Sequence, residues 1–217
     1  MIQAPQLEEQ WLKLTAELGV EWETARRAFA ELERHYATGL RAYHTLDHVR
    51  QVLHDLERLA PHAQDLTQLQ VAAWLHDVIY DPRATDNEER SAVYAERLLQ
   101  TLGQPRAFIS AVRRLILLTK HDNTAPVDAD GRVLLDADLA ILGAPPPDYA
   151  RYAAAIRVEY GWLPEDTYRS GRVVVLQRFL RRPSIYQTAP MRQEREQTAR
   201  ANLQAEIEGL SSNKHLQ

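Results

Sequence analysis

Apolar residues recur along this chain at the three- and four-residue spacing that places them on one face of a helix. Residues 7–18 follow this spacing until a glycine interrupts it, and residues 22–36 resume it. The charged residues of both segments fall on the opposite face, which is typical of helices that pack through one side. The chain therefore predicts two amphipathic helices near its N-terminus.

The same pattern predicts helices along the rest of the chain, separated by proline, glycine and polar segments. Pro61 stops one helix, and Asp81-Pro82 stops the next, because proline disfavours helical backbone in the residue before it. Residues 123–131 are polar and acidic and predict a loop, and the valine-rich residues 173–176 lie inside a longer helical pattern. No segment alternates convincingly as a strand does. The predicted helices span 7–18, 22–36, 44–59, 67–80, 85–102, 108–118, 133–142, 149–160, 165–182 and 191–210.

Composition narrows the classes of function. A net charge of -4 and a pI near 6.1 give no general attraction for nucleic acid or anionic membranes, so we expect neither a nucleic-acid polymer nor a membrane as partner. The chain has no cysteine, which excludes disulfides, thiolate metal ligands and a cysteine nucleophile. Together with the lack of a signal-peptide pattern or a membrane-span-length apolar run, this predicts a cytoplasmic protein.

An adjacent His76-Asp77 pair lies in the middle of an apolar segment, residues 72–81, that predicts a buried helix. Burial of an unpaired carboxylate costs several kcal/mol, so a neighbouring group or a bound cation must compensate it. A pair satisfied by an arginine or by backbone groups is the alternative to a metal site.

Three other segments place metal-competent side chains among apolar residues. His44 and His48 lie four apart in a segment that is either the start of a helix or a loop that enters one, and if it is helical they share one face. Alternatively, one could bond to backbone while the other is exposed. His121 ends a predicted helix, where the helix dipole alone could explain it. Asp136 and Asp138 lie in an apolar run, where two carboxylates repel each other unless a cation or an arginine neutralises them.

A ligand set of imidazoles and carboxylates without thiolates favours Mn, Fe, Mg, Co or Ni, in roughly octahedral sites that are typical of hydrolytic chemistry. The glycines are too dispersed for a phosphate-binding loop, so a phosphorylated substrate would need cationic side chains. Lys120 is the first candidate, followed by Arg172 and Arg90. For each arginine, the alternative is a solvated or paired surface charge.

The order of these motifs resembles that of the HD superfamily of metal-dependent phosphohydrolases. The resemblance rests on His-x-x-x-Val at His48, on the His76-Asp77 doublet and on Asp138 in an Ala-Asp pair. It implies a single-domain, all-α helical bundle of the HD-domain type in which His48, His76, Asp77 and Asp138 hold a metal ion. Asp136, two residues earlier, is an alternative for the last ligand.

The chain is also similar to a small, uncharacterised subgroup described as predicted metal-dependent HD phosphohydrolases. The similar segments are 43–48, 73–81, 87–92, 136–143, 171–182 and 185–186, and the likeness covers most of residues 35–205. We therefore expect one domain over residues 1–210. Its parts are N-terminal helices (1–40), a metal-site core (41–143) and C-terminal helices (144–210), followed by a flexible tail (211–217).

The resemblance implies hydrolysis of a phosphate ester, either a small phosphorylated metabolite or a nucleotide. A cation held by the four ligands would lower the pKa of a bound water and polarise a phosphoryl oxygen, so no protein nucleophile is required. Asp77 or Asp136 could then act as general base, and Lys120 would contact the substrate phosphate.

Binuclear members of the superfamily recruit further His and Glu ligands. His121 and Glu88 occupy plausible positions for a second metal, and His44 and Asp136 are further candidates for an additional metal or phosphate site. We expect one cation rather than two.

Two other functions fit the same residues. A di-iron oxygenase of the HD type would need more ligands than the minimal set, and a nucleotide-binding regulatory protein would keep the pocket without turnover. The polar exposed faces of the first two and last helices allow a monomer or a homodimer.

Overall fold

A computed structural model of the chain describes residues 4–121 and 127–212. These residues form α-helices and short 3-10 helices without a strand, which confirms the all-α prediction. The α-helices are α1 (Ala4–Glu17), α2 (Trp22–Tyr36), α3 (Leu46–Leu59), α4 (Leu66–Leu75), α5 (Asn87–Thr101), α6 (Arg106–Leu118), α7 (Ala129–Asp138), α8 (Pro146–Glu159), α9 (Glu165–Leu180) and α10 (Ala189–Ser212). The 3-10 helices are Ala60–His62 and Leu139–Gly143. No helix in these described ranges is both long and apolar enough to cross a membrane.

Polar side chains fix the starts of the three helices that later prove to carry the site. Thr45 accepts a hydrogen bond from the backbone N–H of Asp47 at the start of α3. Asp65 caps α4 and Asp128 caps α7 in the same way, each through the N–H group three residues later. Such caps satisfy N–H groups that have no partner inside the helix, so the sequence sets where each helix begins.

Helix α4 is the centre of the fold. It packs against α3, α6 and α7, and its residues from Val71 to Leu75 are all buried. Trp74 makes edge-to-face contacts with Trp11 of α1 and Phe29 of α2, at centroid distances of 5.5 and 6.1 Å. Because α4 has no solvated face, the polar residues at its end also lie in the interior.

Helix α4 ends at Leu75, so the prediction that it continues to Tyr80 and carries the His-Asp pair in its middle is wrong. The His76 ring donates from Nδ1 to the carbonyl of Ala73, 2.9 Å away. The Arg41 guanidinium donates to the carbonyls of Asp77 and Val78 at 2.8 and 3.0 Å. These side chains donate hydrogen bonds to carbonyl groups at and just after the end of the helix, which allows the chain to turn.

Helix α3 begins at Leu46, so His44 lies in the segment that enters it, which is one of the two predicted alternatives, and does not share a helical face with His48. Two other boundaries differ from the prediction. Helix α7 begins at Ala129, inside the predicted loop, and gives way to a 3-10 helix after Asp138. Residues 123–126 of that loop lie outside the described residues. Helix α10 continues to Ser212, two residues beyond the predicted end, and residues 213–217 are not described.

Candidate metal centre

Four side chains from three helices meet in the interior. His48 lies in the first turn of α3, His76 and Asp77 follow α4, and Asp138 ends α7. The Nε2 atom of His48 lies 3.1 Å from His76 Nε2 and 3.1 Å from Asp138 Oδ1, and His76 Nε2 lies 3.0 Å from Asp77 Oδ2. The structure thus brings together the four residues that the resemblance names as metal ligands.

The donor atoms of this cluster fit a single cation. Two ligands at right angles on a cation with bonds of about 2.1 Å are separated by about 3.0 Å, close to the spacing observed. His48, His76 and Asp138 each offer one atom, and all three atoms lie within 4.8 Å of one another. The Nδ1–H of His76 is held by the Ala73 carbonyl, so its Nε2 lone pair faces the cluster, as in metal-bound histidines.

Electrostatics also favour a cation here. Burial would raise the pKa of Asp77, but the imidazoles of His76 and His44 hold it well below its usual range. Burial opposes protonation of His76, but the Asp77 charge raises the pKa of His76 well above its usual value. Burial lowers the pKa of His48. The negative charges of Asp77 and Asp138 beside His76 thus favour a positive charge in the place that a cation would take.

The two aspartates of α7 have different surroundings. Asp138 places Oδ1 against the two histidines of the cluster and Oδ2 2.8 Å from His121 Nε2. Asp136 is fully buried and accepts hydrogen bonds from the backbone N–H groups of Gln187 and Thr188 at 2.7 and 2.6 Å.

The structure therefore does not bring Asp136, which the sequence offered as ligand, general base or additional site, into the cluster. Residues two apart on a helix point about 200° away from each other. Asp138 faces the cluster, while Asp136 faces away from it and fixes the segment that leads into α10.

Glu159, at the end of α8, holds the segment before α3 and was missed by the sequence analysis. One oxygen of its fully buried carboxylate accepts the backbone N–H groups of residues 42, 43 and 44 at 2.8, 2.8 and 3.0 Å. The other accepts from the Tyr80 hydroxyl at 2.8 Å and lies 2.7 Å from His44 Nδ1. The His44 ring, stacked on Tyr80 at 4.2 Å, is thereby fixed with Nε2 as its remaining nitrogen.

Arg41 joins the two segments that carry the histidines. Its guanidinium donates to the carbonyl of His44 at 2.7 Å, as well as to those of Asp77 and Val78. It also lies over the rings of Tyr36 and Tyr80, at 5.0 and 5.4 Å. Arg41 therefore fixes the distance between the approach to α3 and the end of α4.

His121 has the geometry of a functional residue. Its backbone φ of 56° lies in the left-handed region, which is costly for a residue with a side chain and is often found at functional sites. Its Nε2 contacts Asp138, and its carbonyl accepts a hydrogen bond from Arg182 at 2.8 Å. His121 thus links one of the cluster carboxylates to the end of α9.

A cavity of about 620 Å³ opens onto the cluster. His44, Glu88 and His121 line it together with the four cluster residues. Burial raises the pKa of Glu88, and the nearby charge of Asp77 adds to this effect. Away from the cluster, the lining is mostly aromatic and aliphatic: Tyr152, Ile156, Tyr160, Leu163, Tyr168, Val175 and Leu176.

The three cations predicted to bind substrate have different positions. Lys120 lines the cavity and forms an ion pair with Glu89. Arg172 also lines it, but its guanidinium is bonded to both oxygens of Glu206 at 2.8 and 3.1 Å, so its charge is already neutralised. Arg90 is exposed on α5 and is not part of the cavity wall. The structure thus places Lys120 and Arg172 in the cavity wall and Arg90 outside it.

Comparison with known proteins identifies a family for the chain. No curated protein and no solved structure is significantly similar to it. The HD domain family model matches residues 45–156, more than half of the 217 residues. The match includes all four cluster residues but neither Arg41 nor Glu159, and HD domains typically bind divalent metals. The chain therefore belongs to the HD domain family.

Proposed function

We propose that this protein hydrolyses a phosphate ester, with one divalent cation held by His48, His76, Asp77 and Asp138. The convergence of these four side chains on one wall of the cavity is the observation that supports the proposal. When bound, a divalent cation supplies Lewis-acid polarisation of a phosphoryl oxygen and lowers the pKa of water.

The protein groups around the cluster have distinct tasks in this proposal. Asp77 stays ionised at neutral pH, since its pKa is held well below the usual range despite burial, and it is our candidate for accepting a proton from the attacking water. His44 is oriented by Glu159 so that Nε2 remains for a ligand in the cavity. The apolar wall beyond it excludes water from the bound leaving group.

Metal analysis and activity assays test this function together. Protein purified without chelators should contain a divalent cation and release phosphate from members of a panel of phosphate esters. Asp77→Ala should abolish both the release and most of the metal binding. Asp47→Ala is the matched control, because Asp47 is exposed on α3 and pairs with Arg50. A protein with neither bound metal nor metal-dependent turnover would overturn the proposal.

One observation favours the di-iron alternative, so the metal analysis tests it as well. The two oxygens of Asp138 face different histidines, His48 and His76 on one side and His121 on the other, as in a carboxylate that bridges two metals. Two irons per chain and an oxygen-dependent product would favour the oxygenase. Tight nucleotide binding without any product would favour a regulatory protein.

A further inference from the structure

Two arginines at the end of α9 line the same cavity as the metal cluster. Arg178 lies in the last turn of α9, and Arg182 follows the C-cap residue Arg181. Burial lowers the pKa of Arg182, and the nearby charge of Arg178 lowers it further, so the two guanidinium groups repel each other. Neither residue belongs to the segment that the HD domain family model matches.

Arg182 is held at the metal end of the cavity. It donates from Nη2 to the carbonyl of His121 at 2.8 Å, and its guanidinium lies over the Phe179 ring at 4.6 Å. His121 in turn bonds to Asp138 of the cluster. One residue therefore separates the Arg182 guanidinium from a metal ligand.

Stabilisation of the free carbonyl groups at the end of α9 does not explain the position of these arginines. Cationic side chains often lie at the C-terminal end of a helix, where they satisfy its free carbonyl groups. Here Arg200 has that role, because it donates to the carbonyls of Leu180 and Arg182 at 3.0 and 2.8 Å. Arg182 donates away from the helix, to His121.

The charges of this pair are not neutralised by the described residues. Arg172 and Lys120, the other cations discussed in the cavity wall, pair with Glu206 and Glu89. Within residues 4–121 and 127–212, Arg178 forms no hydrogen bond or ion pair, and Arg182 bonds only to a carbonyl oxygen. An anion in the cavity would relieve the repulsion between the two guanidinium groups.

We propose that Arg178 and Arg182 form the phosphate-binding site of the cavity and hold the phosphate group of the substrate beside the metal cluster. A guanidinium offers planar pairs of N–H donors that match two oxygens of a phosphate group. The assignment of the phosphate to a substrate rests on the proposed hydrolase function. Binding of the anion itself does not require turnover, so the two proposals fail separately.

Calorimetric titration of the purified full-length chain with inorganic phosphate, at low ionic strength, tests the site. Arg178→Gln and Arg182→Gln should each weaken phosphate binding at least about tenfold, or about 1.4 kcal/mol. Arg181→Gln is the matched control, because Arg181 lies between the pair in the sequence and is exposed like Arg178, but it does not line the cavity. It should leave the affinity within about twofold, as expected for a rim charge outside the site.

Arg182→Gln also removes a bond to His121, so circular dichroism should accompany each titration. If that variant does not fold, Arg178→Gln decides the matter, since Arg178 forms no hydrogen bond or ion pair with the part of the chain that the structure describes. The proposal is overturned if wild-type protein does not bind phosphate, if Arg178→Gln binds it as tightly as wild type, or if Arg181→Gln weakens binding equally.

Discussion

Replacement of Glu159 by glutamine should lower the free energy of unfolding by about 3 kcal/mol at neutral pH. The carboxylate is fully buried and accepts three backbone N–H groups, the Tyr80 hydroxyl and the His44 ring. Burial opposes ionisation, but these donors lower the pKa of Glu159 from 4.5 to about 2. At about 1.4 kcal/mol per pKa unit, the shift corresponds to the expected loss. Glutamine also replaces one carboxylate oxygen, which accepts hydrogen bonds, by an N–H₂ group that cannot accept them from these donors.

The pH dependence of this effect follows from the sign of the shift. A lowered pKa in the folded protein means that the stabilisation by Glu159 is fully present above pH 4.5 and is lost as the pH falls toward about 2. The difference in stability between wild type and Glu159→Gln should therefore be constant near neutral pH and shrink below pH 4.5.

Urea denaturation followed by circular dichroism, at pH values from 7 downward, measures both quantities. Glu165→Gln is the matched control, because Glu165 is 59% exposed and pairs with Arg157 on the surface. Its effect should stay below about 1 kcal/mol. Equal unfolding midpoints for wild type and Glu159→Gln, or a difference that does not change at acidic pH, would refute this account of Glu159.

Three further predictions concern the metal centre. Asp138→Asn should abolish metal binding, whereas Asp136→Asn should keep the metal stoichiometry, as metal analysis would show. Asp136→Asn should instead lower the free energy of unfolding by about 1–3 kcal/mol, which urea denaturation would measure. Below the pKa of His76, metal affinity should fall about tenfold per pH unit, because the cation displaces one proton. Calorimetry in two buffers of different ionisation enthalpy would count the protons that are released. Arg41→Lys cannot bridge three carbonyls and should lower the melting temperature by several degrees in a thermal scan, about 2–4 °C for each kcal/mol lost.

Local patterns in the sequence predicted the helices well, because most of the helices bury one apolar face and several begin with a polar cap. These patterns failed at the end of α4, where the side chains of His76 and Arg41 donate hydrogen bonds to backbone carbonyl groups. The His76 bond spans three residues, but Arg41 comes from 36 residues away. No local pattern contains that contact, so the helix appeared to continue to Pro82.

The four residues of the candidate metal centre were predictable because each lies in an apolar segment that has no other use for a polar side chain. The choice between Asp136 and Asp138 depended on which side of α7 faces the cluster, which only the packing of that helix decides. Glu159 was missed, as were Arg178 and Arg182, which we propose bind phosphate, because an isolated charge near an amphipathic helix has the pattern of a solvated residue. The contacts of Glu159 and Arg182 are made with segments far away in the chain.

The proposed cation, held at the junction of α3, α4 and α7, would also take part in folding. A cation that binds only after these helices have packed stabilises the folded chain by an amount that grows with the logarithm of its free concentration, about 2.7 kcal/mol at one hundred times the dissociation constant. The metal supply in the surrounding solution would then set the lifetime of the protein as well as its activity.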